Sequence, residues 1–295
     1  MLKPLILVTG KDGQLGFELQ QIQKNYSSQF DFLFVGRKEL DLSVPETIAS
    51  FIEKHQPKYL INAAAYTAVD KAETEAELAF TINASSPSEM AKVCKEINCH
   101  FIHISTDYVF DGKKKSPYMP SDQTNPINIY GASKAKGEEL ILEHNPQSIV
   151  IRTSWVYSSH GKNFVKTMMS LMSERDEINV VNDQIGNPTY AADLAEAILQ
   201  IVSKLNNSNL IHSSIYHYSN TGNISWFQFA EEIQKLSSHK CRVNPIASVS
   251  FPTPAKRSSY SVLDCSAIQK DFGVEIKNWK SSLATMLNNL ESNPK

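Results

Sequence analysis

Glycine is scarce in this chain, with 11 among 295 residues, well below the ~7% usual in globular proteins. Also missing is any apolar run near the ~20 residues that a membrane-spanning helix requires. At the start, Met1-Leu2-Lys3-Pro4 leads into an apolar stretch, Leu5 to Val8, too short for a signal-peptide core. The four cysteines, Cys94, Cys99, Cys241 and Cys265, show no CxxC or Cys/His spacing, so neither a zinc site nor a disulfide framework is read from them. Reduced thiols in a cytoplasmic protein are expected instead. Nor is there an excess of positive charge: 29 Lys and Arg against 31 Asp and Glu give −2, so no face for nucleic acid is expected. Repeats and low-complexity tracts are absent, and 41% hydrophobic with 20% charged residues is an ordinary globular composition.

What is present is alternation. Strands are expected at residues 5–9, 31–35, 59–63, 101–105 and 149–153. Between them lie helical patterns at 14–26, 75–97 and 129–144, and one carrying Ile48, Phe51 and Ile52 behind a Ser43-x-x-Glu46 capping box. Strand and helix in turn mean βαβ units, hence an α/β fold with a Rossmann-type, doubly wound parallel sheet. After residue 153 the pattern loosens, with helices expected at 163–173, 191–204 and 225–236 and short strands at 179–181 and 215–219. Residues 245–261, rich in Pro and Ser, read as a linker or as a long ordered loop over a pocket. The expected division is a dinucleotide-binding domain over 1–153 and a smaller substrate-binding lobe over 154–295, with some later segments returning to the sheet.

Three of the few glycines, Gly10, Gly13 and Gly16, fall within Val8-Thr9-Gly10-Lys11-Asp12-Gly13-Gln14-Leu15-Gly16, between a buried strand and an amphipathic helix. In that context Gly10 permits a tight turn, Gly13 close approach of backbone to a pyrophosphate, and Gly16 close helix–strand packing. Gln14 and Leu15 open the helix whose N-terminus would face the anion. Past the second strand, Arg37 stands where a site for NAD would carry an acidic residue against the ribose 2′-OH. A basic residue there favours NADPH, although Glu39 and Asp41 nearby leave NADH open.

Tyr130-Gly131-Ala132-Ser133-Lys134 sets a phenol and an amine one helical turn apart. A cation that close is expected to lower the phenol pKa toward neutrality, where general acid–base catalysis works best. Ser105-Thr106-Asp107-Tyr108 lies at the carboxyl end of a buried strand, where open α/β sheets gather ligands. There Thr106 can donate to a carbonyl oxygen and Asp107 can accept from a sugar hydroxyl.

With Asn62-Ala63-Ala64-Ala65, Ser105 to Gly112, Tyr130-x-x-x-Lys134, Arg152-Thr153-Ser154-Trp155-Val156-Tyr157 and Asp183-Gln184-x-Gly186-x-Pro188-Thr189, the chain resembles the extended short-chain dehydrogenase/reductases over residues 5–290. It departs from their Arg-Pro-x-Asn-Ser pattern at Arg257-Ser258-Ser259-Tyr260-Ser261. The resemblance implies reduction of the C4 ketone of the nucleotide sugar dTDP-4-dehydro-L-rhamnose by a nicotinamide cofactor. In it Tyr130 would be the proton donor, Lys134 would bind the nicotinamide ribose and tune Tyr130, and Thr106 would share the developing oxyanion. Asp107, Trp155 and Arg257 would hold the sugar nucleotide, while Asp41, Leu42, Ala63, Ala64 and Ala65 would lie along the adenosine half of the cofactor. A homodimer and an interface Mg²⁺ are implied by the resemblance alone. Two other readings remain: a dehydratase or epimerase on the same fold, and a non-catalytic subunit that binds dinucleotide. Dehydratases follow the threonine with Asp-Glu, and here Tyr108 takes the place of that base.

Overall fold

Strands that are apolar along their whole length need cover on both faces. The computed structural model, which describes residues 3–207 and 214–292, supplies it with a six-stranded parallel sheet between two helical layers. The strands are β1 (Leu5–Thr9), β2 (Asp31–Val35), β3 (Tyr59–Asn62), β4 (His100–Thr106), β5 (Ile149–Thr153) and β6 (Ile215–His217), in the order β6-β5-β4-β3-β1-β2. All the pairings in this sheet are parallel, with Thr9 level with both Val35 and Asn62, and Thr106 level with Thr153. The order reverses between β1 and β3, and a ligand crevice opens at such a switch point.

One face packs Ile6, Val8, Ile61, Ile102 and Ile151 against α1 (Gln14–Ile22) and the long helix Ala191–Asn207. The other packs Leu7, Leu60, Phe101 and Val150 against the helices Ile48–His55, Ser86–Glu96 and Ile129–His144. A separate core holds Tyr157, Met168, Ile178, Tyr190, Phe229, Trp279 and Leu283, under the helices Phe164–Glu174, Trp226–Leu236 and Trp279–Ser292. Residues 191–207, 215–217 and 266–274 come from the second half of the sequence and pack in or on the central sheet.

Three local expectations change, and one left open is decided. The Ser43 capping box does not form: the Ser43 hydroxyl donates to Asp41 at 2.7 Å, and Pro45–Thr47 makes a 3-10 turn before the helix begins at Ile48. The helix expected over 75–97 is interrupted by a π turn at Thr81–Ser85. Pro87 has no N–H to give the Asn83 carbonyl, and Gly137 of the facing helix packs so close that a Cβ there would lie 2.1 Å from that oxygen. α1 stops at Ile22, and Gln23–Asn25 continues as a 3-10 turn. Finally, residues 245–261 are a structured return and not a linker. Arg242–Ile246 pairs in parallel with Glu177–Val181, and the chain then crosses back to bridge Tyr260 with Ile185 and Leu263 with Tyr118.

Candidate active site

The carboxyl ends of β1, β3, β4 and β5 open onto a cleft of about 810 Å³. At its floor Gly10 turns with φ +76°, and a Cβ there would lie 2.8 Å from the Ala63 carbonyl carbon on β3's exit. Gly16 stands behind the turn, where a Cβ would be 2.1 Å from the Gly10 oxygen, so α1 can sit on the turn only with glycine. No side chain caps the N-terminus of α1, which leaves a positive helix end facing the cleft. Gly10, Gly13, Gln14, Leu15, Arg37, Asp41, Leu42, Ala63, Ala64 and Ala65 all line the cleft. Arg37 is mostly exposed and pairs with Asp41 at 3.1 Å.

The reactive end is built by β4 and the helix Ile129–His144. Asn128 caps that helix by accepting from the Gly131 N–H at 2.8 Å. A Cβ on Gly131 would lie 2.1 Å from the Tyr108 carbonyl oxygen, so glycine lets the first helical turn close onto the end of β4. Tyr130 and Lys134 thereby join Thr106 and Asp107 at the cleft wall. Behind them Arg152 forks onto Glu138 with bonds of 3.0 and 2.6 Å, and Ser105 donates to the same carboxylate. This buried network ties β4, β5 and the helix together.

Burial sets the electrostatics. It pushes the Asp107 carboxyl up to about 6, against hydrogen bonds from Ser261 and Thr106 that favour the ionised form. Tyr130 is raised by burial, with Thr106 opposing and Asp107 and Tyr108 adding to it. Lys134, 1% exposed, is brought down to about 7 by burial, partly offset by Glu138. The lowering of the Tyr130 phenol expected from a neighbouring ammonium is therefore not seen. The lysine loses charge where the phenol keeps its proton, because desolvation disfavours the ionised form of each.

Trp155 takes a left-handed backbone, φ +47°, a conformation that costs a bulky residue on the order of 1–3 kcal/mol. Its indole stacks on Trp226 at 3.5 Å and 9°, with Phe164 against the far ring. Arg257 stands apart from the main cleft in a small adjoining cavity with Asp107, Tyr108, Trp155, Gln184, Trp226, Ser258 and Ser261. It bonds Tyr108 Oη at 2.8 Å and Asp70 at 2.9 Å. Trp226 escapes sequence reading because it looks like the first residue of an amphipathic helix capped by Ser225. His103, bonded to Lys134 at 2.8 Å, had a fainter signal: with Ser105 it is polar on one face of an apolar strand. Among the described residues no group of three or more His, Cys, Asp or Glu could hold a metal ion, and the implied Mg²⁺ finds no support in this chain. No described helix is long and apolar enough to cross a membrane.

Comparison with known proteins agrees with this architecture over nearly the whole chain. The family model "RmlD substrate binding domain" matches residues 4–292. A dTDP-4-dehydrorhamnose reductase of Aggregatibacter actinomycetemcomitans is 39% identical over 284 residues, 94% of this chain and 96% of that one. A Bacillus subtilis protein, spore coat polysaccharide biosynthesis protein SpsK, is 37% identical, with 96% of each chain covered. The crystal structure of a Bacillus anthracis dTDP-4-dehydrorhamnose reductase in complex with NADP superposes with a TM-score of 0.90 at 36% identity, covering 98% of this chain and all of that one (100%). The chain belongs to the RmlD substrate binding domain family, with the fold of the dTDP-4-dehydrorhamnose reductases.

Proposed function

We propose that this chain is an NADPH-dependent reductase of dTDP-4-dehydro-L-rhamnose, making dTDP-L-rhamnose for cell-surface polysaccharide. The observation that carries the proposal is the meeting of Tyr130, Lys134, Thr106 and Asp107 at one end of a cleft whose other end is a glycine turn on a helix N-terminus. The cleft fits a dinucleotide: Gly10, Gly13 and the alanines of residues 63–65 keep side chains out of the path a pyrophosphate would take. Arg37, largely exposed and paired with Asp41, is the group to meet a 2′-phosphate, which is the basis for preferring NADPH over NADH.

When bound, the nicotinamide supplies the hydride for the sugar C4. Tyr130, kept protonated by burial, gives its proton to the oxygen that was the ketone. Thr106 stands beside that phenol and donates to the same oxygen, stabilising charge where it develops. Lys134 binds the cofactor ribose and, when charged, stabilises the phenolate left behind. Asp107 accepts from a sugar hydroxyl, the Trp155–Trp226 stack offers a flat apolar wall, and Arg257 faces the diphosphate. The sheet and its helices thus serve the cofactor, and the 154–190 and 218–265 segments serve the sugar nucleotide.

The test is consumption of NADPH and of NADH, side by side, with dTDP-4-dehydro-L-rhamnose. Turnover with NADPH at the higher kcat/KM is expected. Cofactor binding without turnover would leave a dinucleotide-binding subunit and refute the reductase.

A further inference from the structure

A line of hydrogen bonds runs behind the cleft from β1 through β3 and β4 to Lys134, and its direction is fixed. The Ala64 backbone N–H, which can only donate, points at Asn62 Oδ1 at 3.2 Å, and the Thr9 hydroxyl donates to the same oxygen at 2.6 Å. With its oxygen committed, the Asn62 amide presents Nδ2–H to His103 Nδ1 at 3.0 Å. A neutral His103 that accepts at Nδ1 carries its hydrogen on Nε2. That N–H faces Lys134 Nζ at 2.8 Å, while Nζ itself bonds the Ile104 carbonyl at 2.7 Å.

An ammonium has three donors and no lone pair, so it cannot receive the Nε2–H. A neutral amine can receive it and still donate to Ile104. We propose that His103 is a positioning residue: oriented by Asn62, it holds Lys134 as a neutral amine in the free protein. Cofactor binding, in the reading given above, draws the lysine toward the ribose and lets it take up a proton.

The other groups around the lysine fit this arrangement. Its own helix contributes Tyr130 one turn before and Glu138 one turn after. Glu138 favours the ammonium, but Arg152 and Ser105 already occupy it. β4 contributes His103 and the Ile104 carbonyl. From the π turn, Asn83 is engaged with Tyr66 and Ser133, neither of them charged. His103 is itself fully buried, and burial keeps it neutral. The device would let one lysine stay uncharged while buried in the free protein and become a cation once the cofactor is bound, ready for the phenolate that forms.

The test is NMR on the intact protein, independent of turnover. Imidazole 15N spectra report the His103 tautomer, and lysine labelled at 13Cε, assigned by loss of one resonance in Lys134→Met, reports the amine titration. The Nε2–H tautomer and a Lys134 midpoint of about 7 are expected in wild type. In His103→Gln the amide can turn its oxygen to the lysine, and the midpoint should rise by more than tenfold in proton affinity. Adding NADPH to wild type should raise it as well. An Nδ1–H tautomer, a lysine charged to above about pH 9 like an ordinary one, or a folded His103→Gln with an unmoved midpoint would overturn the proposal. If His103→Gln does not fold, the two wild-type spectra still decide it. A neutral lysine unmoved by NADPH would instead sink the assignment of Lys134 to the cofactor.

Discussion

Tyr130 and Asp107 share one buried corner, and burial pushes both toward their protonated forms. For Tyr130 that suits a proton donor. Tyr130→Phe is expected to lower kcat by about 10²–10⁴, the usual range for a general acid, with the NADPH dissociation constant within about twofold of wild type. Lys134→Ala should damage both, and fluorescence titration alongside steady-state kinetics separates the two. For Asp107 the shift has a cost in stability. Its pKa in the folded chain, about 6, lies above the unstructured value of 3.8, so its favourable contribution is complete below the lower value and lost as pH rises through the upper one. Asp107→Asn removes the buried charge. Its melting temperature should therefore gain on wild type by a few degrees as pH goes from about 4 to about 7, while the KM for the sugar nucleotide rises. Thermal melts at both pH values check the sign. Spacing and strand position made Tyr130, Lys134, Thr106 and Asp107 legible in the sequence. The direction of the pKa shifts of Tyr130, Lys134 and Asp107 was not, because it depends on how much protein closes over them.

Among the elements, the helix Ile129–His144 keeps the bounds read from the sequence, although its buried face carries Ser133, Lys134 and Glu138 beside Ile141 and shows no apolar stripe. The π turn was not readable there, because Thr81–Ser85 continues a helical pattern and only Pro87 hints at the break. The short paired strands of the second half, such as Val156–Tyr157 with Thr189–Tyr190, are two residues long and carry no periodicity at all. Gly131 packs the first turn of the helix Ile129–His144 against the 3-10 turn that follows β4. Gly131→Ala places a methyl 2.1 Å from the Tyr108 oxygen, and overpacking of this kind costs about 1–3 kcal/mol. Urea unfolding should show a loss of that size. The displaced first turn should also carry Tyr130 away from Thr106 and lower kcat.

Across the whole molecule, the return segment after Arg242–Ile246 joins the second half of the chain to the first. Ala255 and Arg257 bond Asp70, and the Lys256 carbonyl receives Asn128 Nδ2 at 2.8 Å. The sequence left this stretch open between linker and loop because Pro and Ser occur in both. Arg257→Ala is expected to raise the KM for the sugar nucleotide with little change in NADPH affinity, since Arg257 lies in the adjoining cavity and not along the glycine turn. The most direct measurement for the account as a whole follows the hydride. With NADPH deuterated at the transferring position of the nicotinamide, NMR of the product sugar should place the deuterium at C4 for wild type and leave it nearly absent for Tyr130→Phe in the same time. Deuterium elsewhere on the sugar, or none with wild-type protein that binds both ligands, would contradict ketone reduction at this site.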